Sequence, residues 1–231
     1  MTVVTEQSPD TFEYLLRPTY FLDHDAPEIQ EFVDRWVTDR DAPAAKKAVE
    51  LYYAVRDHVF YEVYDADLSH EGLRASSIAV GGQGFCLHKS ILYAAAVRAV
   101  GIPSRLVYGD VRNHLASDRL KQHIGGDVFF HGLTSVFLDG RWMKATPVFN
   151  KLLCRLYGMT PLEFDGTGDS LYHPFDGDEG DSSQAMQFLR MHGEFDDLPY
   201  DYVMTNMRAK HPKFVHGDGT VAGGSLAAEA S

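Results

Sequence analysis

The sequence is poor in cysteine and in basic residues, and it has no long apolar run. Two cysteines in 231 residues are too few for a disulfide scaffold or a cysteine-rich zinc module. Lys and Arg number 21 against 33 Asp and Glu, and the net charge of −12 disfavours nucleic acid and anionic membranes as partners. The longest apolar stretch, residues 91–97, is too short to span a bilayer, and the N-terminus has no signal-peptide pattern. We therefore expect a cytoplasmic protein with reduced thiols.

The composition is that of a protein with a substantial core. Hydrophobic residues make up 45% of the chain, which excludes a disordered protein. A chain of this length buries about 70% of its unfolded surface, so its core needs no disulfide or metal. We expect a single domain over residues 1–216, with a flexible Gly/Ala/Ser-rich tail at 217–231. A Gly- and Asp-rich stretch at 165–183 predicts a long loop, either a functional lid or mobile surface.

The order of the predicted elements indicates the fold class. Helical spacing of apolar residues precedes the clearest β signal, in which Asp139-Gly140 is the preferred two-residue hairpin turn. Helices followed by an antiparallel hairpin, without strand–helix alternation, predict an α+β fold. The predicted elements are helices at 28–37, 43–59 and 86–100, a strand at 104–108 and a hairpin within 129–149.

Cys86 is the first candidate for a catalytic residue. It follows a glycine-rich bend at 81–84 and opens a predicted buried helix. Unpaired N–H groups and the positive end of the helix dipole at such a position lower the pKa of a thiol and favour the nucleophilic thiolate. The alternative is that Cys86 is a small buried hydrophobic residue, as most free cysteines are.

His131 is the second candidate, at the start of the predicted hairpin. If Leu138 pairs with Arg141, side chains at every second position share a face, so that His131 lies on the same face as Thr146. Thr146 is then a diagonal neighbour of His131, about 7–8 Å away, and Asn150 is the opposite diagonal if pairing continues past Pro147. The alternative for His131 is a structural, half-buried histidine.

Two blocks of sequence contain the candidate residues. The first is GFCLHKS at 84–90, followed by an alanine-rich helix and GIPSR at 101–105. The second is HG at 131–132, followed by VFLDGRW at 136–142. A cysteine block followed by a histidine block is a more specific signal than a glycine-rich bend alone, and these two blocks resemble those of the transglutaminase-like superfamily. The match covers about residues 43–150, which leaves 151–216 as a C-terminal extension.

The resemblance implies a papain-like core, with the nucleophile on a buried helix packed against an antiparallel sheet. It implies that Cys86 is the nucleophile and that His131 is its base, forming a thioacyl-enzyme from a peptide, protein or small amide substrate. It implies no cofactor. No pair of histidines has the spacing of metal ligands on a helix, so we expect no metal.

The third catalytic position departs from the family pattern. The family usually has Asp fifteen residues after the histidine, where this chain has Thr146. Threonine accepts a hydrogen bond but carries no charge, and Asn150 is a second candidate for orienting the imidazole. Gln83, upstream of the nucleophile, is a candidate oxyanion donor, with a solvated loop residue as the equal alternative.

Because Thr146 replaces the usual Asp, functions other than catalysis are also considered. A catalytically lapsed binding module that retains the papain-like cleft is the alternative to an enzyme. A structural subunit of an oligomer is a more distant one. The substrate, the acyl acceptor and the oligomeric state are not indicated by the sequence.

Overall fold

A computed structural model describes residues 9–64, 66–113, 121–122, 125–156, 160–171, 186–212 and 215. A 3-10 helix over Pro9–Leu16 precedes the regular elements. The α-helices are α1 (Pro27–Trp36), α2 (Ala44–His58), α3 (Ala75–Gly81), α4 (Cys86–Ala99), α5 (Lys151–Leu156) and α6 (Tyr200–Lys210). The strands are β1 (Phe60–Tyr61), β2 (Gln83–Gly84), β3 (Ser104–Asn113), β4 (Val128–Leu138), β5 (Arg141–Ala145) and β6 (Met186–Phe195).

The main sheet has four antiparallel strands in the order β5-β4-β3-β6, and β1 and β2 form a short parallel pair. The β4–β5 hairpin turns at Asp139 and Gly140, whose φ angles of 48° and 79° are the left-handed values that a two-residue turn requires. Leu138 pairs with Arg141, as predicted. The β5 ladder ends where Ala145 pairs with Thr134, so the predicted placement of Thr146 and Asn150 as diagonal neighbours of His131 in the ladder is wrong.

Helix α4 lies at the centre of the core because its sequence is apolar around most of its circumference. Its residues from Cys86 to Arg98 are all buried. One side packs on α2 and α3, and the other packs on β3 and β4. Gly101, with a φ of 79°, ends the helix and lets Ile102 N–H donate to Val97 O at 3.0 Å.

Two polar groups of α4, the Lys89 side chain and the Ser90 carbonyl, fix the helix within the fold. The Lys89 Nζ is fully buried and donates to the carbonyls of Arg56 and Val59 at 2.9 and 2.7 Å. These carbonyls lie at the C-terminal end of α2, where backbone acceptors are unpaired. The Ser90 carbonyl accepts the Thr134 hydroxyl at 2.9 Å. Thr134 therefore projects from the face of β4 that packs on α4.

The predicted α+β fold is confirmed, and the predicted helices and hairpin lie within one or two residues of those observed, apart from the earlier end of β5. The strand predicted at 104–108 is twice as long in the structure. Of the predicted loop at 165–183, residues 165–171 are described and 172–183 lie outside the described residues. The predicted tail at 217–231 also lies outside them.

Candidate active site

Cys86 is the first residue of α4 and is 5% exposed. Phe85 precedes the helix with an extended backbone, and Gly84 has a φ of 153°. A side chain on Gly84 would meet the His88 Cβ at 2.5 Å, so glycine is required for the bend that leads into the helix. The cysteine is thus at the helix start, as predicted, and it is also a buried core residue.

Two opposing effects act on the Cys86 thiol. Burial raises its pKa to about 12, while hydrogen bonds from the backbone N–H groups of Gly132 and Leu87 act in the opposite direction. Burial is the larger effect because a thiolate loses its hydration in the core. In this state Cys86 is therefore a neutral thiol at pH 7, contrary to the lowered pKa expected from its position at the helix start.

Because Gly132 has no side chain, α4 packs closely on β4, the strand that carries His131. A side chain on Gly132 would meet Ser90 Oγ at 3.0 Å and Leu87 Cδ2 at 3.1 Å, so this position of β4 faces α4 and admits only glycine without rearrangement. The sulfur of Cys86 lies against the Gly132 N–H. His131 is the preceding residue on the same strand, which explains the HG pair in the sequence.

The His131 side chain projects from the other face of β4, because successive residues of a strand alternate. Its ring packs edge-on against Phe188 of β6, with ring centroids 6.0 Å apart. It is 3% exposed, and burial lowers its pKa to about 4. In the described part of the chain, no hydrogen bond or ion pair joins this imidazole to the Cys86 thiol. The structure brings the two residues to adjacent backbone positions and leaves both side chains neutral.

Thr146 is buried just beyond the end of β5 and is 3% exposed. Its carbonyl accepts hydrogen bonds from Val148 N–H at 2.8 Å and from the Tyr52 hydroxyl at 3.1 Å. Its own hydroxyl has no hydrogen-bond partner among the described residues. Thr146 therefore does not orient His131 in this state, and its role there stays a prediction.

Asn150 and Gln83 have other contacts. Asn150 caps α5, since its side-chain oxygen accepts Leu153 N–H at 3.2 Å. Gln83 is exposed and lines a cleft of about 190 Å³ with His88 and Glu62. The cavity at Cys86 is lined by other residues, so the structure does not bring Gln83 to the sulfur. His88 itself is buried, with its pKa lowered to about 4 by burial.

Two residues at the Cys86 cavity were missed from the sequence. This cavity has a volume of about 20 Å³, and Met207 of α6 and His211 just after it contribute to its lining. His211 is 3% exposed, and its Nε2 accepts the Phe130 N–H at 3.1 Å. Nothing in the local sequence pattern marks these residues, because they lie more than 120 residues after the cysteine and outside both motif blocks.

Two further findings concern the described residues alone. They contain no group of three His, Cys, Asp or Glu side chains placed to hold a metal ion. They also contain no helix with the length and hydropathy needed to cross a membrane.

The sequence was compared with models of protein families and with curated protein sequences. Residues 30–147, just over half of the chain, match the family model of the transglutaminase-like superfamily. The comparison with curated protein sequences found no match.

Two solved structures are similar to this chain. One is a candidate cysteine protease from Cytophaga hutchinsonii, with 17% identity, coverage of 64% of this chain and 45% of the other, and a TM-score of 0.45. The other is the arylamine N-acetyltransferase from Mycobacterium abscessus, with 18% identity, coverage of 58% and 46%, and a TM-score of 0.39. The chain matches less than half the length of either protein.

Proposed function

The chain belongs to the transglutaminase-like superfamily and has its papain-like fold, and from this premise we propose that it is a cysteine-dependent acyl-transfer enzyme. Cys86 is the proposed nucleophile and His131 the proposed base. The observation that carries the proposal is the close packing of the start of α4 on Gly132, the residue directly after His131: a Cβ there would lie 3.1 Å from Leu87, the residue after Cys86. A cysteine at a helix start beside a strand that carries a histidine is the arrangement that acyl transfer uses.

The proposed reaction has two halves. The Cys86 proton passes to the His131 imidazole, and the thiolate attacks the carbonyl carbon of an amide or ester. The imidazolium then gives its proton to the leaving amine or alcohol, and a thioacyl-enzyme remains. Water or an amine attacks this thioester while His131 accepts its proton, and return of that proton to sulfur restores the thiol.

Backbone N–H groups at the sulfur support the charged steps. Gly132 and Leu87 N–H groups point at the sulfur, so they are placed to stabilise a thiolate. The histidine ring must leave its contact with Phe188 and approach the sulfur for the first proton transfer. Catalytic contacts often form only when substrate binds, and this mechanism requires a rearrangement that brings the His131 ring from the other face of β4 to the sulfur.

We propose a peptide, protein or small amide as the substrate and either water or an amine as the acceptor. Cys86 and Cys154 are both free thiols, in keeping with a reducing compartment, and we propose the cytoplasm. The net charge of −12 favours a neutral or cationic acceptor over an anionic one.

The experiment measures release of p-nitrophenol from p-nitrophenyl acetate, with mass spectrometry of the acetylated protein. Cys154→Ala leaves Cys86 as the single thiol. We expect an acetyl group on Cys86, and we expect turnover to be lost in Cys86→Ala and to fall at least 100-fold in His131→Gln, as for loss of a general base. Acetylation confined to lysines, or turnover that survives Cys86→Ala, would refute the proposal.

A second candidate function is favoured by one observation. Thr146 replaces the family carboxylate, and its buried hydroxyl has no partner among the described residues. A binding module that keeps the cleft without turnover would have this feature. Binding of a peptide by both the parent and Cys86→Ser, with no acetylation of either protein, would favour the binding module.

A further inference from the structure

The cavity at Cys86 is too small for any acyl substrate. A volume of about 20 Å³ holds about one water molecule. A reacting carbonyl must approach the sulfur to about 3–3.5 Å, and pockets for small ligands have volumes of about 300–1,000 Å³. Part of the cavity wall must therefore move before Cys86 can react with a substrate.

The cavity wall combines residues of the core framework with residues of the C-terminal helix α6, which packs on that framework. Phe130 belongs to the central strand β4, and Phe85 is the residue from which the buried helix α4 starts, so both belong to the framework of the core. Met207 belongs to α6, which buries one stripe of side chains and leaves Tyr202 on its outer face 38% exposed. The α6 segment, which ends at His211, packs on this framework through its buried stripe, so it can move while α4 and β4 stay in place.

A hydrogen bond from a backbone N–H of β4, the strand that carries His131, ties the end of this segment to the sheet. The β5 ladder stops at Thr134, so within the described ranges the edge of β4 before that residue has no strand partner on the β5 side. The N–H groups of Phe130 and Gly132 point to this edge, the first to His211 Nε2 at 3.1 Å and the second to the Cys86 sulfur. Two residues of a strand span about 7 Å. His211 and Cys86 therefore lie side by side on the same strand edge.

Two further contacts hold α6 in place. The Tyr200 hydroxyl donates to Leu68 O at 2.9 Å at the start of the helix. Lys210, next to His211, forms an ion pair with Asp110 of β3. These contacts lie on either side of Met207 along the helix, so the helix as a whole keeps Met207 against the cavity.

We propose that the C-terminal segment 200–211 gates the Cys86 site, with Met207 as the wall that limits the size of the entering group and His211 as the latch. This inference deepens the proposed function and rests on it only in taking Cys86 as the nucleophile. In the closed state the imidazole accepts the Phe130 N–H and the segment covers the sulfur. Loss of that hydrogen bond weakens the attachment of the end of α6, which then rests more on the Lys210–Asp110 ion pair, and so makes opening of the site to a substrate easier.

The test measures alkylation rates of Cys86 in the full chain carrying Cys154→Ala, using iodoacetamide as the small probe and N-phenylmaleimide as the bulky one. His211→Leu removes the acceptor of the Phe130 N–H. We expect both probes to react about five-fold faster, the factor that corresponds to one lost hydrogen bond. His211→Gln keeps a side-chain acceptor, and we expect its rates to stay within two-fold of the parent.

Met207→Ala and Met204→Ala form a matched pair that tests the wall. Both methionines are 1% exposed and lie on α6, but only Met207 lines the cavity. We expect N-phenylmaleimide to react equally fast with the two variants, because both loosen α6 to a similar extent. We expect iodoacetamide to react at least three-fold faster with Met207→Ala, because a shorter wall admits a small probe without opening.

Val33→Ala separates gating from unfolding of the whole chain. Val33 is fully buried in α1 and does not line the Cys86 cavity. Rates in Val33→Ala that rise as much as those in His211→Leu would show that Cys86 reacts only in the unfolded chain, and the gate would be refuted. Unchanged rates in His211→Leu, or identical probe preferences in the two methionine variants, would also refute it.

These outcomes are independent of the proposed function. Alkylation requires no turnover, so the gate can be established in a protein that fails to hydrolyse p-nitrophenyl acetate. Conversely, Cys86-dependent turnover together with alkylation rates unchanged by the His211 variants would retain the enzyme and remove the gate.

Discussion

Two buried histidines make the folded state sensitive to mild acid. Burial lowers the pKa values of His88 and His131 to about 4, against 6.5 for an exposed histidine. Both imidazoles are therefore neutral in the folded protein at pH 5–7. The unfolded chain takes up a proton on each as the pH falls below 6.5, so acid favours unfolding. The contribution of the two neutral histidines to the free energy of unfolding is present above pH 6.5 and is lost progressively down to pH 4.

The magnitude follows from the difference between the two pKa values. For one histidine, the free energy of unfolding falls by about 1.8 kcal/mol between pH 7 and pH 5. The two together account for about 4 kcal/mol, a large part of the 5–15 kcal/mol that is typical of a folded domain. The carboxyl groups of Asp57 and Asp110 have pKa values below the usual 3.8, so they act at lower pH, whereas burial raises the pKa of Asp197, which opposes the loss of stability in acid.

The assay is urea unfolding followed by circular dichroism at pH 7, 6 and 5. Between pH 7 and pH 5, we expect the free energy of unfolding of His131→Gln to fall by about 1.8 kcal/mol less than that of the parent protein. This difference does not depend on how the substitution changes stability at pH 7. His58→Gln is the control, because His58 is exposed and stacks on Trp36 outside the core. A pH dependence in His131→Gln equal to that of the parent would show that the folded state tolerates a charged imidazole at this position, and would refute the reasoning.

Three substitutions test other contacts of the site by their effect on unfolding in urea. Gly132→Ala places a Cβ 3.0 Å from Ser90 Oγ, and we expect a loss of about 1–3 kcal/mol; an unchanged midpoint would mean that α4 can retreat from the sheet. Tyr52→Phe removes the hydroxyl that reaches Thr146 O at 3.1 Å and Leu162 O at 3.0 Å, and we expect a loss of about 1–3 kcal/mol, whereas no loss would show that water replaces it. Thr146→Val removes a buried hydroxyl without a described partner, and we expect it to be neutral or to stabilise by up to about 1 kcal/mol; a loss above about 1 kcal/mol would reveal a partner for that hydroxyl.

The local elements followed directly from the sequence. Asp139-Gly140 determined the hairpin turn because both residues adopt left-handed backbone angles there. Gly101 determined where α4 ends. The apolar run that follows Cys86 determined that this helix is buried, and the two motif blocks indicated the superfamily that the family comparison supports.

The state of the candidate site depended on the tertiary structure. The sequence placed Cys86 at a helix start, where a lowered pKa is expected, but packing buries the sulfur and raises its pKa to about 12. The sequence placed His131 next to Gly132, but the alternation of the strand and the packing of Phe188 decide which face the ring occupies.

The cover over the nucleophile could not be read from the sequence at all. His211 reaches the edge of β4 because β5 stops at Ala145 and leaves the Phe130 N–H open to another acceptor. Spacing in a sequence reports the periodicity of one helix or strand, and contacts between segments more than 120 residues apart are outside its range. The sequence by itself determined the elements, the superfamily and the candidate nucleophile and base. Only the tertiary structure decided their burial, their charge and what lies over them, because desolvation and long-range packing arise when the elements come together.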